Sequence, residues 1–451
     1  MSESNKTNNT IWLVHDVIEC PSCGLVQQYP EIRHGELTAC HRCGRELFRH
    51  PVTKEWSVSF AFAISSLILY LMMISFPLLS INIYGRTNTL GVFNGTIEFI
   101  HQGWGSVGLL VGAAIVVFPI ITISLMIAIL SYALRKELPN FFPKLLHIYK
   151  VIRPWSMVEV YILGIFVAYT KLISMAHVEL DYSLYAVILL MISMSVTDAC
   201  VDFAALWARC PIKSVTMTDQ ERELQIKKYQ SAQFPDNDHV ISCECCQLVF
   251  VTEQPVGYED SVATCPRCGT MLHKRKVNSI NRSLALLVAA FIFYIPANLY
   301  PIMSMTMMGK ESSHRIFGGV VELWQSHMVP LALLVFVASI AVPVLKISGI
   351  AMMIGASLMR SKRWLIARSK AFQVISFIGR WSMIDVFMIS ILIALIKFEA
   401  LANVQANAGI VMFAAVVVLT IFAADVFDPR LMWDHAGMNE GVKPQSNQEL
   451  K

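Results

Sequence analysis

Eight cysteines carry the most legible chemistry in this chain. They form two sets of paired Cys-x-x-Cys knuckles: Cys20, Cys23, Cys40 and Cys43, then Cys243, Cys246, Cys265 and Cys268. Sixteen residues separate the knuckles of the first set and eighteen those of the second. Paired knuckles at this spacing can set four thiolates in a tetrahedron, the geometry a structural zinc ion prefers. Each set is therefore expected to be a zinc-ribbon module holding one zinc, two per chain. A closed four-thiolate site keeps no open coordination position, so catalysis at the metal is not expected. Gly24, Gly44 and Gly269 follow knuckles, where a tight turn needs a permissive backbone. A membrane redox protein using the Cys-x-x-Cys pairs is the alternative reading, but it would not need four cysteines per module. Cys245 is a spare, and Cys200 and Cys210 read as plain thiols.

A second group with chemical potential is ionisable side chains inside apolar runs. Glu159 and Asp385 lie roughly 8 Å inside the helices that begin near Arg153 and Gly379, counting about 1.5 Å per residue. Four residues separate each from Trp155 or Trp381, which on one continuous helix puts acid and indole on a common face. Lys171 and Lys397 stand near the far ends of the same helices, where they can snorkel to the surface. Lys346 is near mid-span, and its counterpart in the other half is Thr122. Charges at such depth are costly unless they meet a partner or a wet cavity. These six residues are candidates for a polar transport path; pairing that merely holds helices together is the structural alternative. Asp198, Asp202, Asp425 and Asp428, at span ends, are expected to be mostly solvated.

The elements that must position these groups follow from composition. Of 451 residues, 55% are hydrophobic and 15% charged, with a net charge of +4. Soluble domains carry about 25% charged residues. Eight apolar runs reach spanning length: roughly 57–80, 105–133, 154–175, 184–207, 281–305, 328–358, 379–397 and 408–427. Pro296 and Pro301 fall in the fifth run, and Pro119 and Pro343 in the second and sixth, so these spans are expected to kink.

The unit is written twice. "RPWSMVEVYILG" at 153–164 matches "GRWSMIDVFMIS" at 379–390, "FNGTIEF" at 93–99 matches "FGGVVEL" at 317–323, and Asp202 and Trp207 match Asp428 and Trp433. A cysteine module precedes each copy. The expected architecture is an all-α polytopic membrane protein of two tandem parallel repeats. Module 1 spans 15–50, a four-helix lobe 57–207, a polar linker 208–240, module 2 241–275, a second four-helix lobe 281–427, and a polar tail 436–451. Four spans per lobe is an even number, so both lobes insert the same way round, as in parallel-repeat transporters.

Orientation comes from basic residues. Arg135, Lys136, Lys144, Lys150 and Arg153 crowd one loop, and Arg360, Lys362, Arg363, Arg368 and Lys370 its equivalent, whereas the loop after span 1 holds only Arg86. Basic loops face the cytoplasm. Both termini and both modules are then cytoplasmic, and the opening 56 polar residues show no secretory pattern. The loops at about 81–104 and 306–327 are expected on the opposite side as paired amphipathic elements. No Gly-x-x-x-x-Gly-Lys-Ser/Thr sequence occurs, so no P-loop nucleotide site is expected.

The duplicated Cys-x-x-Cys pairs, "PANLYPI", "GRWSMIDVF" and "FDPRLMWD" resemble the paraquat-inducible protein A family over residues 15–435. The resemblance implies two zinc-ribbon-like modules and two four-span lobes. It implies a cell inner-membrane component of an MCE-type system that moves phospholipid to or from a periplasmic MCE-domain tunnel protein. A more distant likeness is to the inner-membrane partner of one such tunnel. Lys346, Lys171, Glu159 and Asp385 fall where relatives also carry polar or charged groups. No catalytic residue and no nucleic-acid partner are implied.

Overall fold

The computed structural model describes residues 11–13, 17–28, 37–49, 56–83, 86–173, 177–212, 239–252, 256–257, 261–307, 310–325, 327, 329–397 and 402–439. Most of the linker expected at 208–240 lies outside these residues.

Among the described residues, eight helical segments are long and apolar enough to span a membrane: Trp56–Ser75, Gly105–Ala133, Phe142–Leu172, Tyr182–Cys200, Ser279–Leu299, Ala332–Leu358, Leu365–Leu395 and Ala408–Val426. They are numbered here as spans 1 to 8. Apolar side chains such as Ile68, Leu71, Phe166, Phe291 and Ile292 project outward from them, the surface a lipid solvent favours. The chain is a multi-pass membrane protein. Span pairs 1 and 4, and 5 and 8, pack closely in equivalent ways in the two lobes.

Three details depart from an uninterrupted helix. Spans 2 and 6 each pass through a short π-helical turn, Ala113–Val117 and Val337–Ala341, just before Pro119 and Pro343. A widened turn accommodates a ring that cannot donate to the ladder. Pro296 does lie inside span 5, but Pro301 does not: the helix stops at Leu299 and Tyr300 is extended. The chain then enters a strand, Met303–Met307, because residues there pair across a sheet rather than along a helix.

The third span of each lobe is broken at the repeated Trp-Ser-Met. In span 3 a helix over Phe142–Ile152 leads into a 3₁₀ turn, Arg153–Trp155, then an extended Ser156, and a new helix starts at Val158. In span 7 the 3₁₀ turn Gly379–Met383 joins Leu365–Ile378 to Ile384–Leu395. Glu159 and Asp385 therefore open new helices. The shared face inferred for Trp155 and Glu159 does not form, because extended Ser156 rotates the chain between them. An acid in the first turn is favoured by the positive end of the helix dipole.

At the end of the molecule away from the cysteines, each lobe carries a three-stranded antiparallel sheet. In lobe 1 the hairpin Leu79–Ile83 and Arg86–Leu90 takes on His177–Leu180. In lobe 2 Met303–Met307 and Lys310–His314 take on Ala402–Ala406. Each sheet leads into a short helix, Asn94–His101 or Ile316–Gln325, formed by the repeated "FNGTIEF" and "FGGVVEL".

The lobes meet through the second halves of spans 3 and 7. Every residue from Ile384 to Leu395 is buried, as expected of a helix that is apolar all round and enclosed by others. Gly164 lets it approach: a Cβ there would lie 2.9 Å from Phe387 Cβ. Tyr161 meets Phe387 edge-on at 5.8 Å between ring centroids.

The modules are crossed. Module 1 packs its four cysteines and Leu25 against Leu287, Met353, Phe372, Phe427 and Trp433 of lobe 2. Module 2 packs against Trp207 of lobe 1, and His147 Nδ1 meets Cys245 Sγ at 3.0 Å. Strand Ile11–Leu13 joins Val249–Thr252 of module 2 in one sheet, tying the two modules together.

Candidate functional site

Each module is a pair of short hairpins whose turns carry the knuckles. In each set the four Sγ atoms lie within 4.8 Å of one another. The nearest approaches cross between knuckles: Cys20 to Cys43 and Cys23 to Cys40 at 3.6 Å, Cys243 to Cys268 at 3.4 Å and Cys246 to Cys265 at 3.6 Å. A tetrahedron of sulfurs about 2.3 Å from a central ion has edges of about 3.8 Å. The donor set thus fits a metal ion at its centre. All eight thiols are buried and unbridged. Gly24, Gly44 and Gly269 have φ of 71°, 71° and 77°, the left-handed turn expected of them.

Beside module 1 lies a buried charge network that the span-end aspartates were not expected to make. Glu19 accepts from Arg275 Nη1 at 2.8 Å and pairs with Arg430 Nη1 at 3.4 Å. Arg275 Nε also donates to Asp434 at 2.6 Å, and Arg430 Nη2 to Asp428 at 2.8 Å. Glu19, Arg275, Asp428, Arg430 and Asp434 are all buried, so Asp428 is not solvated. Burial by itself would raise its pKa, but the adjoining Arg430 and Arg275 guanidiniums hold the carboxyl well below the usual range. Ser242 of module 2 donates to Glu19, and Asn439 Nδ2 donates to Cys23 O at 3.0 Å. The network therefore joins module 1, module 2, lobe 2 and the start of the tail.

The six intramembrane candidates fall into separate groups. Lys346 is 2% exposed, and its Nζ donates to Gly379 O at 2.9 Å, Thr420 Oγ1 at 3.0 Å and Ser382 Oγ at 3.2 Å. Gly379 makes room, since a Cβ there would lie 2.9 Å from Lys346 Cε. Thr122, its counterpart, donates to Phe118 O at 2.7 Å within its own helix. Glu159 is paired with Arg153 at 3.2 Å, and Arg153 with Asp198 at 2.6 Å. Asp198, expected in solvent, also accepts from Tyr149 Oη at 2.7 Å. Lys397 reaches across to Glu98 of the other lobe at 2.9 Å.

Asp385 and Lys171 share a pocket. It lies between the lobes on the sheet side of the span 7 break, with Arg315 and Ser339 also in its lining and an otherwise largely apolar wall. Asp385 is 4% exposed, and neither carboxylate oxygen has a hydrogen-bond partner among the described residues. The pocket holds about 40 Å³, room for little more than water. Ser339, Ser382 and Thr420 give no signal individually, because hydroxyls are ordinary in spans. Ser382 alone had a pointer, being the serine of the repeated Trp-Ser-Met.

The Paraquat-inducible protein A family matches residues 57–210 and 280–437, one match per lobe. "Intermembrane transport protein PqiA" of Escherichia coli strain K12 is 31% identical over 432 residues, covering 94% of this chain and 97% of that protein. "Lipophilic envelope-spanning tunnel protein A" of the same strain is 28% identical over 422 residues, covering 93% and 91%. A "Probable intermembrane transport protein" of Haemophilus influenzae is 25% identical over 423 residues, covering 92% and 95%. No solved structure matches the chain. Two cysteine modules, two equivalent four-span lobes and one family match on each lobe lead to a single conclusion: the chain belongs to the paraquat-inducible protein A family.

Proposed function

We propose that this protein is the inner-membrane component of an MCE-type intermembrane lipid transport system. It loads or extracts phospholipid and passes it to or from a periplasmic MCE-domain tunnel. The observation that carries this reading is the inter-lobe pocket at the sheet end. Lys171 and Arg315 are suited to a phosphate, its apolar wall to acyl chains, and Asp385 is a buried carboxylate without a hydrogen-bond partner among the described residues. At about 40 Å³ the pocket cannot take a lipid as it stands, so the lobes part during the cycle. The broken spans 3 and 7 supply the hinges, as discontinuous helices do in other transporters. The names of the relatives favour transport over enzymatic activity.

The modules and the basic loops share one end of the molecule: Lys150 Nζ donates to Glu244 O and Cys245 O of module 2. The basic loops assign that end to the cytoplasm, leaving the sheets and the helices Asn94–His101 and Ile316–Gln325 as the periplasmic docking surface. Cysteines at Thr87 and Ser312 should label from outside the cell and crosslink to the tunnel protein; labelling only from the cytoplasm would reverse the orientation.

Zinc is the metal assigned to the modules: the Sγ spacing suits it, and the closed thiolate set makes its role structural. Purified protein should carry about two zinc ions per chain, one for each four-thiolate set. Absence of metal together with a reversible disulfide would favour the redox reading instead.

Lys346, Asp385 and Lys171, with Glu159, Thr122 and Lys397 more remote, are the residues assigned to the transport path. Asp385→Asn and Lys346→Met should each abolish complementation of an envelope-lipid defect at normal membrane abundance. Ser382 and Thr420 keep bonds to Gly379 O and Val417 O without the lysine, so folding should survive. Full complementation by both variants would reduce these groups to packing elements.

A further inference from the structure

The two lobes end differently beneath the membrane. In lobe 2 the corner after span 8 is filled. Trp433 is 2% exposed and donates to Ser369 Oγ at 2.9 Å, while Arg430 and Asp434 enter the charge network with Glu19 and Arg275. At the offset of 226 that relates Asp202 to Asp428, the residues matching Arg430 and Asp434 in lobe 1 are Ala204 and Ala208. There the corner is open. A cleft of about 740 Å³ lies between the end of lobe 1 and module 2, with Val17, Ile18 and Leu47 of module 1 at its side and Ala204, Ala208 and Trp207 among its walls.

The cleft has a two-part lining. Phe203, Trp207, Leu146 and Leu248 give it an apolar wall next to the ends of spans 3 and 4. Lys150, Arg153 and Arg267 bring positive charge. Its carboxylates are committed: Asp198 is held by Arg153 and Tyr149, and Asp202 accepts from Ala205 N at 2.9 Å as the cap of the following helix. Lys150 donates only to backbone carbonyls, and neither it nor Arg267 forms an ion pair among the described residues. Arg267 Nε is buried with no hydrogen-bond partner among the described residues, an arrangement that costs free energy until an acceptor arrives.

We propose that this cleft binds the phosphate headgroup of an anionic phospholipid from the adjoining leaflet, with Arg267 and Lys150 on the phosphate and the Phe203–Trp207 wall on the glycerol and upper acyl chain. Its volume suits a headgroup and the first part of a chain, and its position at span ends lets the tails remain in the bilayer. The site lies at the opposite end of the molecule from the inter-lobe pocket. It rests on the lipid-handling reading for the choice of ligand, but not on transport itself.

The test is native mass spectrometry of the full chain, purified in detergent with its metal, titrated with dioleoylphosphatidylglycerol, dioleoylphosphatidylcholine or inorganic phosphate. One phosphatidylglycerol should be retained in preference to phosphatidylcholine, and millimolar inorganic phosphate should not displace it. Arg267→Gln should weaken retention by about tenfold, the loss expected for one charge-assisted hydrogen bond. Because Arg267 sits between two cysteines, Ala204→Trp provides a second variant: it fills the apolar wall away from the metal and should also abolish preferential retention. Unchanged retention in Ala204→Trp with metal bound overturns the site. Equal retention of both lipids, or displacement by phosphate alone, overturns the anionic-lipid assignment. Intact retention in the transport-deficient Asp385→Asn protein separates this site from the transport path, and loss of retention there would overturn their independence.

Discussion

At the break in span 3, Arg153 bridges Glu159 and Asp198, and Glu159 is 40% exposed. At the matching break in span 7 the arginine is replaced by Gly379. A nearby cation is Lys346, which donates from span 6 to two hydroxyls and a carbonyl, and the acid, Asp385, has no hydrogen-bond partner among the described residues. The same line of sequence thus makes a paired, partly wet ion cluster in one lobe, and in the other leaves the acid in the inter-lobe pocket with Lys171 and Arg315, away from the buried Lys346. An acid held by arginine already has its partner, whereas a buried acid without one is costly until a cation or a polar ligand meets it.

The contrast is widest at the module end. Asp428 is enclosed with Arg430, Arg275 and Glu19, while its counterpart Asp202 caps a short helix beside an open cleft. Asp428→Ala should cost about 3–5 kcal/mol, the penalty for stripping a buried arginine of its partner. Asp202→Ala should cost about 1 kcal/mol, as for loss of a helix cap. Thermal unfolding of each variant in detergent measures both, and equal shifts would erase the distinction. Sign also matters. Because the Asp428 carboxyl is held below its ordinary value, its contribution is fully present above about pH 3.9. It is lost as pH falls through the lowered value, so the gap between wild type and Asp428→Ala should narrow only in acid.

A second pair of substitutions tests the lobe interface. Gly95 and Gly319 occupy equivalent places in the repeated short helices. A Cβ at Gly95 would collide with the Ser390 hydroxyl and lie 2.9 Å from its carbonyl oxygen, whereas one at Gly319 meets nothing within 4 Å. Lobe 1 clamps its helix onto span 7; lobe 2 leaves the equivalent space as the inter-lobe pocket. Gly95→Ala should destabilise by about 1–3 kcal/mol through overpacking. Gly319→Ala should be neutral or stabilise by up to about 1 kcal/mol through helix propensity. Comparable losses at both sites, read as melting temperatures, would mean that the lobes are clamped symmetrically.

Much of this was legible in the sequence because it depends on local spacing. The eight spans, the duplication and the two four-cysteine clusters each follow from a period or an offset. What was not legible depends on distant partners. Glu19 meets Arg275 across 256 residues and Arg430 across 411, and Asp198, expected in solvent, is held by Arg153 across 45; Asp428 pairs with Arg430 only two residues away, but the burial of that pair depends on the distant Glu19 and Arg275. Nothing local tells module 1 to pack beneath lobe 2 rather than lobe 1. The breaks at Trp-Ser-Met were hidden because each of those residues is compatible with a helix. The end sheets were hidden because their strands are five residues or fewer.

The smallest difference lies inside the modules and tests whether they, too, have diverged. After the first knuckle module 1 has Gly24, with φ of 71°; module 2 has Gln247 at the same place, with φ of 58°. The turn demands the left-handed region in both, because the amide of that residue must donate back to the first cysteine's carbonyl, at 2.9 Å in each module. A side chain in that region costs about 1–2 kcal/mol. Glycine avoids this but loses more freedom on folding, about 0.5–1 kcal/mol. Gln247→Gly should therefore tighten the second module by about 1 kcal/mol or less, read as slower release of its metal to a chelator with the first module's rate unchanged. The reverse change, Gly24→Ala, should speed release from module 1 by more. It adds the same backbone strain and also sets a Cβ 2.8 Å from Asn439 Nδ2, which ties the tail to Cys23. If Gln247→Gly instead hastens release, the glutamine side chain contributes a contact to the cleft wall that outweighs the strain of its turn.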